Sequence, residues 1–205
     1  MSIKIRTAAV TGPHKVEILE LNTPDLRRDE VLIKVHAVAL CTLEQRIFRG
    51  EIHMPLPCTG GHEVSGEIVS FGDGVNTKKW AVGDREAVRL LYNCGECHYC
   101  HSGHNNLCER AQKKPVRENL LVGPGGLCDY IIVNTSDLFP FSDRLSYEEA
   151  CLTEPLACCV HSIERANLQL SEDVVVIGGG IMGQYHIMLA KCRGCRVILS
   201  EVDPE

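Results

Sequence analysis

DVVVIGGGIMGQYHIMLAKCRGCRVILSEVDP, residues 173–204, reads as strand, glycine turn, helix and strand. The run 174–177 is wholly apolar, the pattern of a strand buried on both faces of a parallel sheet. Residues 181–194 carry a helix closed by Gly194, and 195–204 return as a second strand. This is one βαβ unit. Gly178, Gly180 and Gly183 spell G-x-G-x-x-G at its turn, and Glu201 stands at the end of the second strand. In that context the glycines point to a dinucleotide site. Gly178 permits the tight turn, and Gly180 lets a pyrophosphate reach the free N–H groups of the helix start at Ile181 and Met182. Gly183 lets helix and strand pack closely. Glu201 would accept hydrogen bonds from ribose hydroxyls and would repel a 2′-phosphate, so NAD is expected in preference to NADP. A tight turn that binds no dinucleotide is the alternative.

Upstream, the pattern changes. SYEEACLTEPLACCVHSIERAN (146–167) predicts a helix, with Ser146 as N-cap, Glu149 as its capping-box partner and an interruption at Pro155. Before residue 140 the apolar residues alternate in short runs, 3–10, 16–21, 30–40, 62–71, 86–91 and 129–133, separated by Gly, Pro, Asn and Asp. They predict a β-rich barrel or sandwich. Between 93 and 124 strand patterning disappears. Cys94, Cys97, Cys100 and Cys108 lie there as C-x2-C-x2-C-x7-C. Four close thiolates suit a closed tetrahedral zinc shell of structural type. An iron–sulfur cluster is the competing use, although its usual run has shorter final spacing and a trailing Pro. His98, His101 and His104, with the basic run Lys113, Lys114 and Arg117, read as a solvated loop and not as further ligands or a nucleic-acid contact.

The whole composition narrows the function classes. Of 205 residues, 44% are hydrophobic, which excludes disorder, and 21 Lys+Arg against 27 Asp+Glu leave a net charge of −6. That charge opposes nucleic-acid and anionic-membrane partners. The start MSIKIRTAAV shows no secretory pattern, and no run of about 18 apolar residues occurs, so a cytoplasmic protein is expected. In a reducing compartment its twelve cysteines are expected to bind metal, catalyse or sit buried more often than to form disulfides. The C-x2-C of Cys192 and Cys195 ends a helix, without the helix N-terminus that activates a redox thiol.

Cys41 follows the strand 30–40, and His62 and Glu63 open the next one. Cysteine, histidine and carboxylate from separate segments, with a position left open, are the donors of catalytic zinc. Taken alone, such residues are more often parts of core and loop. Together, the Cys41 segment, Gly61-His62-Glu63 with Gly66, Gly72 and Val75, the 82–85 turn VGDR, the 94–108 loop, Gly125-Gly126, Glu154-Pro155-Leu156 and the glycine fingerprint resemble the zinc-dependent medium-chain alcohol dehydrogenase family. The sorbitol and polyol branch, or a threonine dehydrogenase-like branch, is the nearest in pattern.

That resemblance implies a mixed fold. A GroES-like β-barrel catalytic domain (1–150) is followed by a linker helix and the first βαβ unit of a Rossmann domain (151–205), with the active site in a cleft between domains. It implies a catalytic zinc on Cys41 and His62, with Glu63 or Glu154 as the carboxylate, and a structural zinc on the four loop cysteines. The implied chemistry is Lewis-acid oxidation of an alcohol or polyol by NAD, or the reverse reduction of a carbonyl. Relatives relay the proton through Ser or Thr two positions after the zinc cysteine. Leu43 stands there, so Thr42, Glu44 or water is left for that role. A six-stranded dinucleotide fold needs four more strands, about 120 residues. The sequence therefore reads as the N-terminal portion of such an enzyme, homo-oligomeric when full length. A non-catalytic zinc-stabilised interaction module derived from one is the competing reading.

Overall fold

Alternating apolar residues set the first half of the chain. The computed structural model describes residues 3–111 and 116–203. The strands β1 (Lys4–Gly12) and β2 (Lys15–Asn22) form an antiparallel hairpin. Then follow β3 (Glu30–Ala39), helix α1 (Thr42–Phe48), β4 (Glu63–Phe71), β5 (Arg85–Arg89), helix α2 (His98–His101), β6 (Tyr130–Asn134), β7 (Leu138–Pro140) and helix α3 (Tyr147–Ala150). Five of these strands make one antiparallel sheet in the order β6-β3-β4-β5-β7. Isolated bridges from Thr7 to Cys128 and from Val10 to Cys58 tie the hairpin to the segments beside that sheet.

One face of the sheet is the core. Val31 and Ile33 of β3, Val64 and Ile68 of β4, Val88 of β5 and Ile131 and Val133 of β6 pack with Trp80 and Leu138. Each fully buried aliphatic side chain contributes about 1.5–3 kcal/mol. This core lies wholly within residues that precede the βαβ stretch.

Two compact units result, Met1–Cys151 and Leu152–Glu205. The second contains α4 (Thr153–Ala166), β8 (Asp173–Ile177), α5 (Ile181–Cys192) and β9 (Arg196–Ser200). β8 and β9 pair in parallel from Asp173–Arg196 to Ile177–Ser200. Ile163, Ala190 and Cys195 form its small core, with Val174, Leu189 and Val197 packed on it. The apolar run of β8 is covered on one face only: Val175 is 59% exposed and Ile177 86%.

The structure corrects three readings of the sequence. α1 and β7 occupy stretches where the pattern predicts neither. The helix after Ser146 breaks at Cys151–Leu152, ahead of Pro155, because Pro155 sits in the first turn of α4 where its missing N–H has no intrahelical partner to lose. Its capping box forms as read, with Glu149 N–H on Ser146 Oγ at 3.1 Å and Ser146 N–H on Glu149 Oε2 at 2.8 Å. No described helix is long and apolar enough to cross a membrane.

Candidate metal and dinucleotide sites

The 94–108 loop turns around its own cysteines. Cys97 caps α2 and Cys100 lies one helical turn later, so the x2 spacing brings their sulfurs to 3.5 Å. A 3-10 turn over Asn105–Leu107 returns Cys108 to the others, and all four sulfurs lie within 4.8 Å of one another. Backbone N–H groups point at them: Cys94 and Arg110 N–H each donate to Cys108 Sγ at 3.3 Å, and Glu96 N–H to Cys94 Sγ at 3.5 Å. The N–H groups of Cys100 and Glu109 pull the Cys97 thiol down to about 6. Desolvation pushes Cys100 up to about 11. Sulfurs held this close cannot all become thiolates without a cation among them, and an all-sulfur donor set fits zinc.

His98, His101 and His104 are exposed. His104 Nδ1 bonds Ser102 Oγ at 3.1 Å. Lys113 and Lys114 fall outside the described residues. Arg117 departs from the reading of a solvated basic run: its guanidinium bonds Glu30 Oε2 at 2.6 Å and the Asp25 carbonyl at 2.7 Å, an internal clamp between loop and sheet.

The second cluster is assembled by strand pairing. Ala39, the last residue of β3, pairs with Glu63, the first of β4, so Cys41 just past one strand meets His62 just before the other. One donor atom from each of Cys41, His62 and Glu63 lies within 4.8 Å of the others. Gly61 turns into this corner at φ +84, a left-handed conformation that a side chain would strain, and a Cβ there would stand 2.6 Å from the Leu127 nitrogen.

Glu44 organises the corner. Cys41 is the N-cap of α1, and its N–H donates to Glu44 Oε2 at 3.1 Å. Glu44 Oε1 accepts from Gly61 N–H at 2.9 Å and faces His62 Nδ1 at 3.0 Å. Burial alone would push this carboxyl up, but the bonds from His62 and Gly61 outweigh it and hold it below the usual range. An ionised acceptor at Nδ1 fixes the proton there and leaves the Nε2 lone pair, 3.9 Å from Glu63 Oε1, facing the other donors. Thiol, imidazole and carboxylate with one position open are a donor set that fits catalytic zinc. Thr42 Oγ1 is 3.8 Å from Cys41 Sγ. Glu44, with both oxygens engaged, is not free for the relay that the sequence leaves open to it. Its orienting role was missed in the sequence, although its i+3 spacing from Cys41 at a helix start is a capping-box signal. Glu154, the alternative carboxylate, stands in the first turn of α4 in the second unit, where Cys158 Sγ bonds its Oε1 at 3.8 Å.

In the second unit the glycine turn lies between β8 and α5. Gly178 takes φ +97, and a Cβ on Gly183 would collide with its carbonyl oxygen. Gly180 is the N-cap of α5 with open space beside it, so the N–H groups of Ile181 and Met182 begin a helix without a side-chain cap. Glu201 accepts N–H bonds from Gly179, Val202 and Asp203, and its carboxylate is held low by them.

Comparison with known proteins gives this arrangement its relatives. Residues 27–143, more than half of the chain, match the family model of the alcohol dehydrogenase GroES-like domain. The chain belongs to that family. It is 34% identical to D-arabitol-phosphate dehydrogenase of Enterococcus avium over 93% of this chain and 53% of that protein. It is 33% identical to sorbitol dehydrogenase of Bacillus subtilis over 98% of this chain and 56% of that protein. Among solved structures, a zinc-binding dehydrogenase of Sinorhizobium meliloti bound to NADP superposes with a TM-score of 0.85 at 27% identity, covering 98% of this chain and 57% of that one. The chain thus spans about half the length of these relatives. Its fold is the GroES-like domain followed by the start of a Rossmann domain.

Proposed function

We propose that this family member is a zinc-dependent oxidoreductase that exchanges hydride between an alcohol or polyol and NAD. The observation that carries the reading is the convergence of Cys41, His62 and Glu63 at the β3–β4 corner, with Glu44 setting the histidine tautomer. The polyol relatives support the substrate class. Among similar solved structures, one described as a zinc-binding dehydrogenase is bound to NADP, and a thermostable alcohol dehydrogenase of Pyrobaculum aerophilum carries cobalt and zinc.

Zinc held by these donors would polarise an alcohol oxygen, and NAD would accept the hydride. The chain's own residues supply the rest. His62 offers Nε2 because Glu44 holds its Nδ1 proton. Glu63 completes the donor set from within the same unit, and Glu154 is the second candidate for that place. Thr42, exposed beside Cys41, is the hydroxyl left to pass a proton to water. Gly180, Ile181 and Met182 would receive the pyrophosphate and Glu201 the ribose, which favours NAD over NADP because a 2′-phosphate would meet a carboxylate.

Polyol-dependent NADH formation tests the proposal, with sorbitol, arabitol and their phosphates as the panel and Cys41→Ala as the comparison. Turnover that requires Cys41 and NAD supports it. A full-length form that binds zinc at Cys41 yet oxidises no alcohol would favour a zinc-stabilised interaction module.

A further inference from the structure

Three consecutive glycines, Gly178 to Gly180, link β8 to α5. Glycine has the widest choice of backbone angles, so the peptide planes between these residues are among the freest to rotate. The turn is nevertheless bonded on several sides. Gly178 N–H donates to the Ser200 carbonyl at 2.8 Å, Gly179 N–H to the Glu201 carboxylate, and Gln184 N–H to the Gly180 carbonyl at 2.9 Å. The Gly179 carbonyl is held by a side chain: Gln184 Nε2 donates to it at 3.0 Å. Only the NH2 end of an amide can answer a carbonyl, so this contact settles which way the Gln184 amide faces.

Gln184 is the residue after Gly183 in α5, and side chains on a helix lean toward its N-terminus, which carries this one back over the turn. It is not a cap. A capping side chain accepts from the N–H groups of the helix start and occupies them, whereas Gln184 donates to a carbonyl and leaves them available. The C=O and N–H of a trans peptide point in opposite directions. A Gly179 carbonyl drawn toward Gln184 therefore aims the Gly180 N–H to the far side, and space is open beside Gly180. The N–H groups of Ile181 and Met182 follow it at the helix start, where no intrahelical partner exists. These are the donors that a diphosphate would meet.

We propose that Gln184 is a positioning residue for the diphosphate of a dinucleotide: its amide locks the Gly179–Gly180 peptide, so that the N–H groups of Gly180, Ile181 and Met182 are set before the ligand arrives. That role rests on the reading of the glycine turn as a dinucleotide site, and it adds a residue that lies outside the glycine pattern. Glu201 grips the preceding peptide through Gly179 N–H, so the two side chains hold adjacent planes of the turn. Without the Gln184 amide, the second plane is left to its glycine neighbours, and part of the interaction with a diphosphate goes to ordering it.

Amide NMR titrations of the full chain with ADP and with adenosine test this role, on the native chain and on Gln184→Met. Methionine keeps the length and the helix propensity of the side chain and removes its donor. ADP is expected to bind the native chain and to bind Gln184→Met about three- to tenfold more weakly, the worth of one hydrogen bond. Adenosine, which carries no phosphate, should lose nothing. In the ligand-free variant the Gly179 and Gly180 amide resonances should shift or broaden as their peptide is released, while those around the buried Ala190 of α5 stay in place. Equal ADP affinity in the native chain and the variant overturns the proposal and leaves the dinucleotide reading standing. Parallel loss of ADP and adenosine overturns it as well, since a general loosening of the unit would weaken both. A native chain that does not bind ADP removes the dinucleotide reading itself, and the proposal with it.

Discussion

The 94–108 loop gathers four sulfurs from one short piece of chain, whereas Cys41, His62 and Glu63 are gathered by the pairing of two strands. The first cluster has four alike donors, backbone N–H groups aimed at its sulfurs and no carboxylate or imidazole among them. The second has three unlike donors, a carboxylate behind its histidine and a side left open. A closed shell organises a loop that lacks an apolar core of its own. The open corner instead rests on a sheet whose packing already exists. The lesson is a division of labour: in the loop the metal would make the structure, and at the corner the structure would make the metal site.

Removing one sulfur from the loop should therefore have the largest effect. Cys97→Ala is expected to lower the melting temperature of the first unit by about 10 °C or more, measured by calorimetry, because structural zinc sites contribute folding energy outright. Cys41→Ala should change it by less than about 5 °C, since the core of Val31, Ile33, Val64 and Ile68 is untouched. Equal losses in the two variants would break the contrast.

Titration separates the metals from the sheet that carries them. Glu86 has a folded-state value raised to about 7 from 4.5, so its protonated form is the one that folding favours. The stability this provides is fully present below about pH 4.5 and is lost as pH rises through about 7, a change of about 3 kcal/mol. Denaturant midpoints at pH 5 and pH 8 should show that loss in the native chain and not in Glu86→Gln. Glu44 has the opposite sign. Its carboxyl is held low in the fold, so its contribution is present above the unfolded value and disappears as pH falls through the folded one.

A finer test of the corner is Glu44→Gln. It keeps the shape but weakens the acceptor on His62 Nδ1, and metal affinity at the corner should fall by about 10- to 100-fold while the loop cluster is unaffected. Competition with a chromophoric chelator reads both sites. The smallest effect is expected from Ser146→Ala, which removes one half of the α3 capping box at a cost of about 1 kcal/mol and leaves both clusters intact.

The same contrast explains what the sequence disclosed. Cys94 to Cys108 and Gly178 to Gly183 are local: spacing along the chain sets spacing in space, so both patterns are legible without a fold. Ser146 and Glu149 are legible for the same reason. Cys41 and His62 meet only through the register of β3 on β4, which no local pattern states, and they could be singled out only through family resemblance. α1 went unread because its seven residues are too few for helical periodicity to rise above the neighbouring strands, and with it the role of Glu44. β7 is three residues long and exists through its pairing with β5. Arg117 looked like part of a basic run because its partner, Glu30, is distant in sequence.

Zinc content per chain, measured on protein purified without added metal beside its Cys41→Ala variant, tests the central claim most directly. The account predicts two zinc ions in the native chain and one in the variant, with the remaining ion on the four loop cysteines. One ion in both proteins would contradict it, leaving the β3–β4 corner without a metal and the chain with its structural zinc alone.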